Sequence, residues 1–301
     1  MYTTLISVEQ LQQLQAGDTP LMVFDCSFDL MKPEAGAQQY AAAHIPGALY
    51  ANLDTDLSAR HGVPGAHGEV VVAQEDGVPA SGGRHPLPSR EKFAAWLSSI
   101  GFANGMQAVV YDRNGANYCG RLWWMLKWMG HEAVAVLDGG LQAWQGAGYA
   151  LETEPAGRKQ GNFKAGAPLA VTVDAHALEQ NLTTHERLVV DARSPDRYRG
   201  ENETIDPVAG HIPGAVNRFF KDNLGSDGRF KPAHTLRDEF KAVVGSTQPE
   251  HVVLQCGSGA TACHNALAME IAGLHGAALY PGSWSEWCAD PSRPVATGPN
   301  P

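Results

Sequence analysis

The 301-residue chain contains no CxxC pair, no HExxH signature and no tight Cys/His cluster. That absence removes structural zinc, zinc hydrolysis and thioredoxin-like exchange, so neither a metal nor another cofactor is expected. Its five cysteines, Cys26, Cys119, Cys256, Cys263 and Cys288, are odd in number and widely scattered, which does not suggest a disulfide framework. No apolar run reaches the roughly 20 residues of a membrane span, and no membrane partner is expected. Positive charge is scarce: 22 Lys and Arg stand against 32 Asp and Glu, for a net charge of −10. A nucleic-acid partner, which needs a basic surface, is thereby disfavoured. A small anionic substrate held by one or two local arginines is not. The first residues, Met1-Tyr2-Thr3-Thr4-Leu5-Ile6, lack a basic stretch followed by an apolar one, so no signal peptide is visible and a cytoplasmic location is expected.

What is present is a unit written twice. Hydrophobic residues make up 44% of the chain and charged residues 18%, and the length suits about two domains. Phe24-Asp25 leads to His44-Ile45-Pro46-Gly47-Ala48, and Val190-Asp191 leads to His211-Ile212-Pro213-Gly214-Ala215. Downstream, Val109–Ala116 parallels Val253–Ala260, Cys119 parallels Cys263, and Gly139-Gly140-Leu141 parallels Gly282-Ser283-Trp284. The first copy is longer between these points, over Arg60–Pro88, a Gly-, Pro- and His-rich stretch that reads either as a functional long loop or as a surface insertion.

Each copy alternates short apolar runs with helical patterns. Strands are predicted at Leu21–Phe24, Ala108–Tyr111 and Val134–Leu137, and at Leu188–Val190, Val252–Gln255 and Ala277–Tyr280. Helices are predicted at Arg90–Ser99, Gly120–Met129, Thr235–Val244 and Cys263–Ala272. The alternation implies an α/β protein of two tandem domains, each a parallel sheet with helices on both faces. The expected division is a first domain over 1–150, a linker over 151–168, rich in Gly and Pro, and a second domain over 169–301.

One loop carries the strongest sign of chemistry. Val252-Val253-Leu254-Gln255 stops at Cys256, and Gly257-Ser258-Gly259-Ala260-Thr261 follows before a helical pattern resumes. Backbone N–H groups and the positive end of the next helix point at one sulfur in such a layout, and a thiol held there ionises more readily than a free one. Gly257 and Gly259 carry no side-chain bulk, so amides can close around a terminal sulfur. The competing reading is a buried structural cysteine beside a tight turn. The first copy has Asp112 at the matching position and cannot use a sulfur nucleophile there. His44 and His211 recur in both copies and read as parts of a structural turn. Cys263, matched by Cys119, reads as core packing, and Trp123, Trp124 and Trp128 as a buried helix face.

These residues resemble the rhodanese sulfurtransferase family over nearly the whole chain. The resemblance lies in the paired His-Ile-Pro-Gly-Ala segments, Asp191-Ala192-Arg193 with Arg197-Tyr198-Arg199-Gly200, the Cys256–Thr261 loop, and Trp284-Ser285-Glu286-Trp287. It implies tandem rhodanese-like domains with a nucleophile only in the second. Within the family, basic residues after the cysteine mark thiosulfate-preferring enzymes, whereas Cys256-Gly257-Ser258-Gly259 looks like the 3-mercaptopyruvate type. By the same resemblance Cys256 becomes a persulfide, and Ser258, His85 and Asp54 form a relay. Arg197 binds the donor carboxylate, and Gly257, Gly259, Ala260 and Thr261 line the substrate loop. Two departures stand out: Ala260 replaces a usual valine, and Glu203–Pro207 holds no arginine where a second one often follows about nine residues after the first. The implied partners are a small-molecule sulfur donor and a thiol acceptor, either a small thiol or a thioredoxin-like protein.

Other classes remain in view. Cysteine phosphatases and arsenate reductases need an arginine six positions after the cysteine, where this chain has Ala262, so oxyanion phosphate substrates are disfavoured. A non-catalytic interaction module fits the first copy better than the second. A thiosulfate sulfurtransferase or a protein-to-protein persulfide relay would use the same cysteine.

Overall fold

A computed structural model describes residues 1–59, 80–157 and 159–301. The predicted loop over Arg60–Pro88 therefore lies outside the described residues for 60–79. The chain forms two compact units. One holds Met1–Leu57, Ser89–Leu169 and Leu224–Phe230; the other holds the described residues of 58–88, with Ala170–Asn223 and Lys231–Pro301.

In the first unit the order is β1 (Leu5–Ile6), α1 (Val8–Ala16), β2 (Leu21–Asp25), α2 (Ala35–Ala42), β3 (Leu49–Tyr50), α3 (Arg90–Ser99), β4 (Gln107–Tyr111), α4 (Cys119–Trp128), β5 (Val134–Leu137) and α5 (Gly140–Gly146). The sheet runs β1-β5-β4-β2-β3, and every pairing is parallel. Ser7 opens α1 with a capping box: its hydroxyl accepts the Gln10 N–H while Gln10 Oε1 accepts the Ser7 N–H.

The second unit contains α6 (Ala175–Thr184), β6 (Leu188–Asp191), α7 (Pro195–Arg199), β7 (Val216–Asn217), α8 (Ala233–Val244), β8 (Val252–Gln255), α9 (Ala262–Ile271), β9 (Ala278–Leu279) and α10 (Ser283–Trp287). Its parallel sheet runs β7-β6-β8-β9. A parallel bridge from Thr172 to Leu279 stands where β1 stands in the first sheet. Both units thus share one strand order. All residues of β4, β5 and β8 are buried, as in parallel strands covered on both faces.

The duplicated pentapeptide does the same work twice. In Ile45-Pro46-Gly47-Ala48 the Ala48 N–H donates to Ile45 O at 3.0 Å, and Ala215 donates to Ile212 O at 3.0 Å. Gly47 and Gly214 take φ of 77° and 82°, the left-handed third position of a type II turn that proline enters at the second. His44 and His211 are fully buried. Each stacks on a tyrosine, Tyr40 or Tyr198, with ring centroids 3.9 Å apart. Each Nδ1 donates to that tyrosine's carbonyl, at 2.7 and 2.8 Å. The structural reading of both histidines holds.

The described residues of 151–168, the stretch expected as a linker, belong to the first unit. Glu152 bridges His44, Gly161 N–H donates to Ser98 O, and Phe163 is buried beside Phe102 and His131.

Candidate active site

In a doubly crossed parallel sheet, ligands bind beyond the carboxyl ends of the strands where the winding reverses. In the first unit that place follows β4, between the crossovers to β2–β3 and to β5–β1; in the second it follows β8. The two loops start alike. Leu141 N–H donates to Asp112 O at 3.2 Å, and Trp284 N–H donates to Cys256 O at 3.0 Å.

The first loop shows what such a cradle holds. The Asp112 carboxylate accepts four backbone N–H groups, from Asn114 (2.8 Å), Ala116 (3.0 Å), Tyr118 (2.8 Å) and Cys119 (3.0 Å). Burial still pushes this carboxyl above the usual carboxylate range, against the pull of those amides. The loop geometry therefore gathers donors around a buried anionic group.

In the second loop the group is the Cys256 sulfur. Gly259 N–H donates to Cys256 Sγ at 3.2 Å, and the Ser283 hydroxyl lies 4.0 Å from it. Gly259 has φ of 78°, a conformation that costs other residues about 1–2 kcal/mol. Ser283 holds φ of 55° without being glycine, and its first-copy counterpart is Gly140, at 57°. The Ser283 hydroxyl accepts the Cys256 N–H at 3.1 Å and donates to Tyr280 O at 2.9 Å. A non-glycine residue held there costs backbone strain, and here it supports the cysteine. Cys256 itself is 1% exposed.

Beside the cysteine, His85 Nδ1 lies 2.6 Å from Ser258 Oγ, and both side chains are buried. The segment carrying His85 is fixed by Arg84 N–H to Ser285 Oγ at 2.9 Å and Gly82 N–H to Glu286 Oε1 at 3.1 Å. Two of the three predicted relay residues thus meet in the second unit. Asp54 belongs to the first unit, where its N–H donates to Asn52 Oδ1 at 2.8 Å.

Arg197, on α7, donates through Nε and Nη2 to Glu203 at 3.0 Å each, and through Nη2 to Asp206 at 3.0 Å. The Glu203 carboxyl is pushed up by burial. The Asp206 and Ile205 amides and the Arg197 guanidinium more than offset that, and hold it below the usual range. A Cβ placed on Gly257 would lie 3.6 and 3.7 Å from Arg197 Nη2 and Nη1, and 3.2 Å from Arg84 Nη2. Glycine at 257 therefore lets two guanidiniums approach the backbone next to the nucleophile. Arg193 is buried, forks onto Asp191 and stacks over Trp284 at 4.7 Å, which makes it a structural residue. Arg199 pairs with the exposed Glu201.

Ala260 is buried and Thr261 half-buried at the start of α9. The Cys263 thiol, fully buried within α9, donates to Gly259 O at 3.4 Å. Cys26, Cys119 and Cys288 sit where burial opposes ionisation. Burial pushes the Cys26 and Cys119 thiols far up and Cys288 up to about 11, so these sulfurs stay protonated. Sequence reasoning missed Arg84, Asp206, Glu203 and Ser283. The replacement of Gly140 by Ser283 between the copies was the one sign available.

The rhodanese-like domain family model matches residues 7–147 and again 174–290. The chain belongs to the tandem-domain rhodanese sulfurtransferases. A probable 3-mercaptopyruvate sulfurtransferase of Pseudomonas aeruginosa is 44% identical over 292 residues, covering 95% of this chain and 96% of the relative. Bovine (Bos taurus) thiosulfate sulfurtransferase is 32% identical, covering 95% and 92%. Among solved structures, the 3-mercaptopyruvate sulfotransferase SseA from Escherichia coli superposes with a TM-score of 0.76 at 27% identity, covering 95% of this chain and all of that one. Two parallel α/β sheets with one strand order are what such a tandem rhodanese fold requires.

Proposed function

We propose that this rhodanese sulfurtransferase moves a sulfane sulfur from 3-mercaptopyruvate to a thiol or cyanide through a persulfide on Cys256. The observation that carries the reading is the 2.6 Å approach of His85 Nδ1 to Ser258 Oγ, two residues from a cysteine whose sulfur receives the Gly259 N–H. A proton path beside a sulfur nucleophile suits a donor whose leaving group is a carbanion equivalent.

In the first half-reaction the Cys256 thiolate attacks the donor sulfur. An S–S bond forms, the C3–S bond breaks, and its electron pair passes to carbon as the pyruvate enolate. A proton delivered through Ser258 and His85 completes pyruvate. Asp54 orients His85, as the family pattern implies. Arg197 binds the donor carboxylate, and the amides from Gly257 to Thr261 receive the terminal sulfur. In the second half-reaction an acceptor thiolate attacks the outer sulfur and restores the Cys256 thiolate. A small thiol or a thioredoxin-like protein serves as acceptor, and the reaction takes place in the cytoplasm. Among the described residues no helix is long and apolar enough to cross a membrane.

Because Cys256 is 1% exposed, the donor approaches past Arg84 and Arg197, whose side chains keep 16% and 17% of their surface. The second reading is thiosulfate as donor, favoured by two guanidiniums beside Gly257 that also suit a dianion. Steady-state rates with both donors side by side decide between them. Parallel double-reciprocal lines and a higher kcat/KM with 3-mercaptopyruvate are expected. A higher value with thiosulfate would reverse the donor assignment, and turnover by Cys256→Ser would reject the mechanism.

A further inference from the structure

We propose that Ser285 and Glu286 are positioning residues that hold His85 in register with Ser258, and so set the preference for 3-mercaptopyruvate. The inference rests on the sulfur-transfer reading and its proton path, and adds the residues that keep that path aligned.

Residues 80–88, which carry His85, form neither helix nor strand. A segment without a backbone ladder takes its place from other hydrogen bonds. It closes on itself through Ala80 N–H to Leu87 O and Leu87 N–H to Ser81 Oγ, both at 2.8 Å. Those bonds shape the segment but do not aim it at the cysteine loop. Two side chains of α10 do. Ser285 Oγ accepts the Arg84 N–H at 2.9 Å, and Glu286 Oε1 accepts the Gly82 N–H at 3.1 Å. The approach is close: a Cβ on Gly82 would run into the Glu286 carboxylate, and one on Gly83 would lie 3.0 Å from Ser285 Oγ.

The same stretch of α10 grips the cysteine loop. Trp284 and Ser285 donate their N–H groups to Cys256 O at 3.0 Å and Gly257 O at 2.9 Å. Ser285 therefore bonds the loop through its backbone and the His85 segment through its side chain. Its hydroxyl hydrogen is committed to Gly282 O at 3.2 Å, which leaves the oxygen as an acceptor for Arg84. One short helix thus fixes the spacing between the nucleophile's loop and the ring that meets Ser258 at 2.6 Å.

The first copy provides the comparison. Gln142 and Ala143 stand where the second copy has Ser285 and Glu286. Leu141 N–H still donates to Asp112 O at 3.2 Å, but Gln142 Nε2 turns to Arg113 O at 2.8 Å, and Ala143 has no polar side chain. The backbone grip on the loop recurs in both copies. The Ser–Glu pair stands in the copy that has the nucleophile.

Misplacing a catalytic group by about 1 Å can cost about 100-fold in rate. Charging of Cys256 by 3-mercaptopyruvate should therefore fall by about 10- to 100-fold in Glu286→Ala. Glu286→Gln, which keeps an acceptor for the Gly82 N–H but not its charge, should recover part of the loss. Charging by thiosulfate, whose leaving sulfite needs no proton at carbon, should keep its rate. So should discharge of the preformed persulfide by 2-mercaptoethanol, and both show that the variant is folded. The deciding variant is the double one. In a His85→Ala background Glu286→Ala should add no further loss, because a residue that acts through His85 has nothing left to align. Ser285→Ala bears the same readouts should Glu286→Ala not fold. Unchanged charging by 3-mercaptopyruvate, equal loss with both donors, or further loss in the His85→Ala background overturns the proposal and leaves the sulfur-transfer reading intact. His85→Ala charging at the wild-type rate overturns the proton path and the proposal together.

Discussion

Replacing Ser258 by alanine separates the proton path from the sulfur chemistry. The substitution removes the oxygen 2.6 Å from His85 Nδ1 but leaves Cys256 and the Gly259 amide in place. Positioned proton transfer contributes typically about 10²–10⁴-fold, equivalent to about 3–5 kcal/mol of barrier at 1.36 kcal/mol per decade. Charging by 3-mercaptopyruvate should fall by that factor, because its leaving enolate must be protonated at carbon. Charging by thiosulfate should change little, because sulfite leaves without a carbon proton. Folding stability should also drop by about 1–3 kcal/mol, the cost of depriving a buried polar group of a partner, since His85 is 2% exposed. Stopped-flow charging with each donor, together with urea unfolding, measures all three quantities. Equal losses with both donors, or no loss with 3-mercaptopyruvate, would refute the relay.

Further outcomes follow from the same geometry. Cys256→Ser should abolish transfer with the fold retained, whereas Cys263→Ala should keep transfer and lose only packing stability; activity assays and circular dichroism check both. Gly259→Ala should lose about 1–2 kcal/mol in urea unfolding, from forcing a Cβ into left-handed backbone at φ of 78°; an unchanged midpoint would contradict the assigned loop conformation. Glu203 provides a pH test. Its carboxyl is pushed up by burial but held, on balance, below its ordinary value of 4.5 by backbone amides and Arg197. A depressed folded-state value contributes stability that is present above the unfolded-state value and lost as pH falls through the folded one. Wild type should therefore melt above Glu203→Gln at neutral pH, with the gap closing on acidification below 4.5. A gap that is constant with pH would contradict this.

Six strands and four helices were readable in the sequence to within a residue or two, whereas helices such as α1 and α6 were not foreseen. Val134–Leu137, Val252–Gln255 and Arg90–Ser99 match their predicted bounds. Two-residue strands such as Leu49–Tyr50 and Val216–Asn217 were not, because two residues carry no period and owe their form to pairing with a neighbour. The duplication gave more than periodicity did. It marked the His-Ile-Pro-Gly-Ala turns as structural and separated the Cys256 loop from its Asp112 twin. His85 and Ser258 were reachable only through resemblance, since 173 residues separate them. Arg84 and Asp206 escaped altogether. A second arginine was sought nine residues after Arg197, and that place is held by Asp206, which pairs with an arginine from elsewhere in the chain. Such a pairing is set by the tertiary fold and leaves no local pattern. Asp54 stays an expectation from resemblance, in the first unit.

The most direct measurement is the mass of the protein after exposure to 3-mercaptopyruvate with no acceptor present, with the modified residue located by fragment ions. One added sulfur on Cys256, removed by 2-mercaptoethanol, is the expected result. An unaltered mass, or the sulfur found on Cys263 or Cys288 instead, would contradict it.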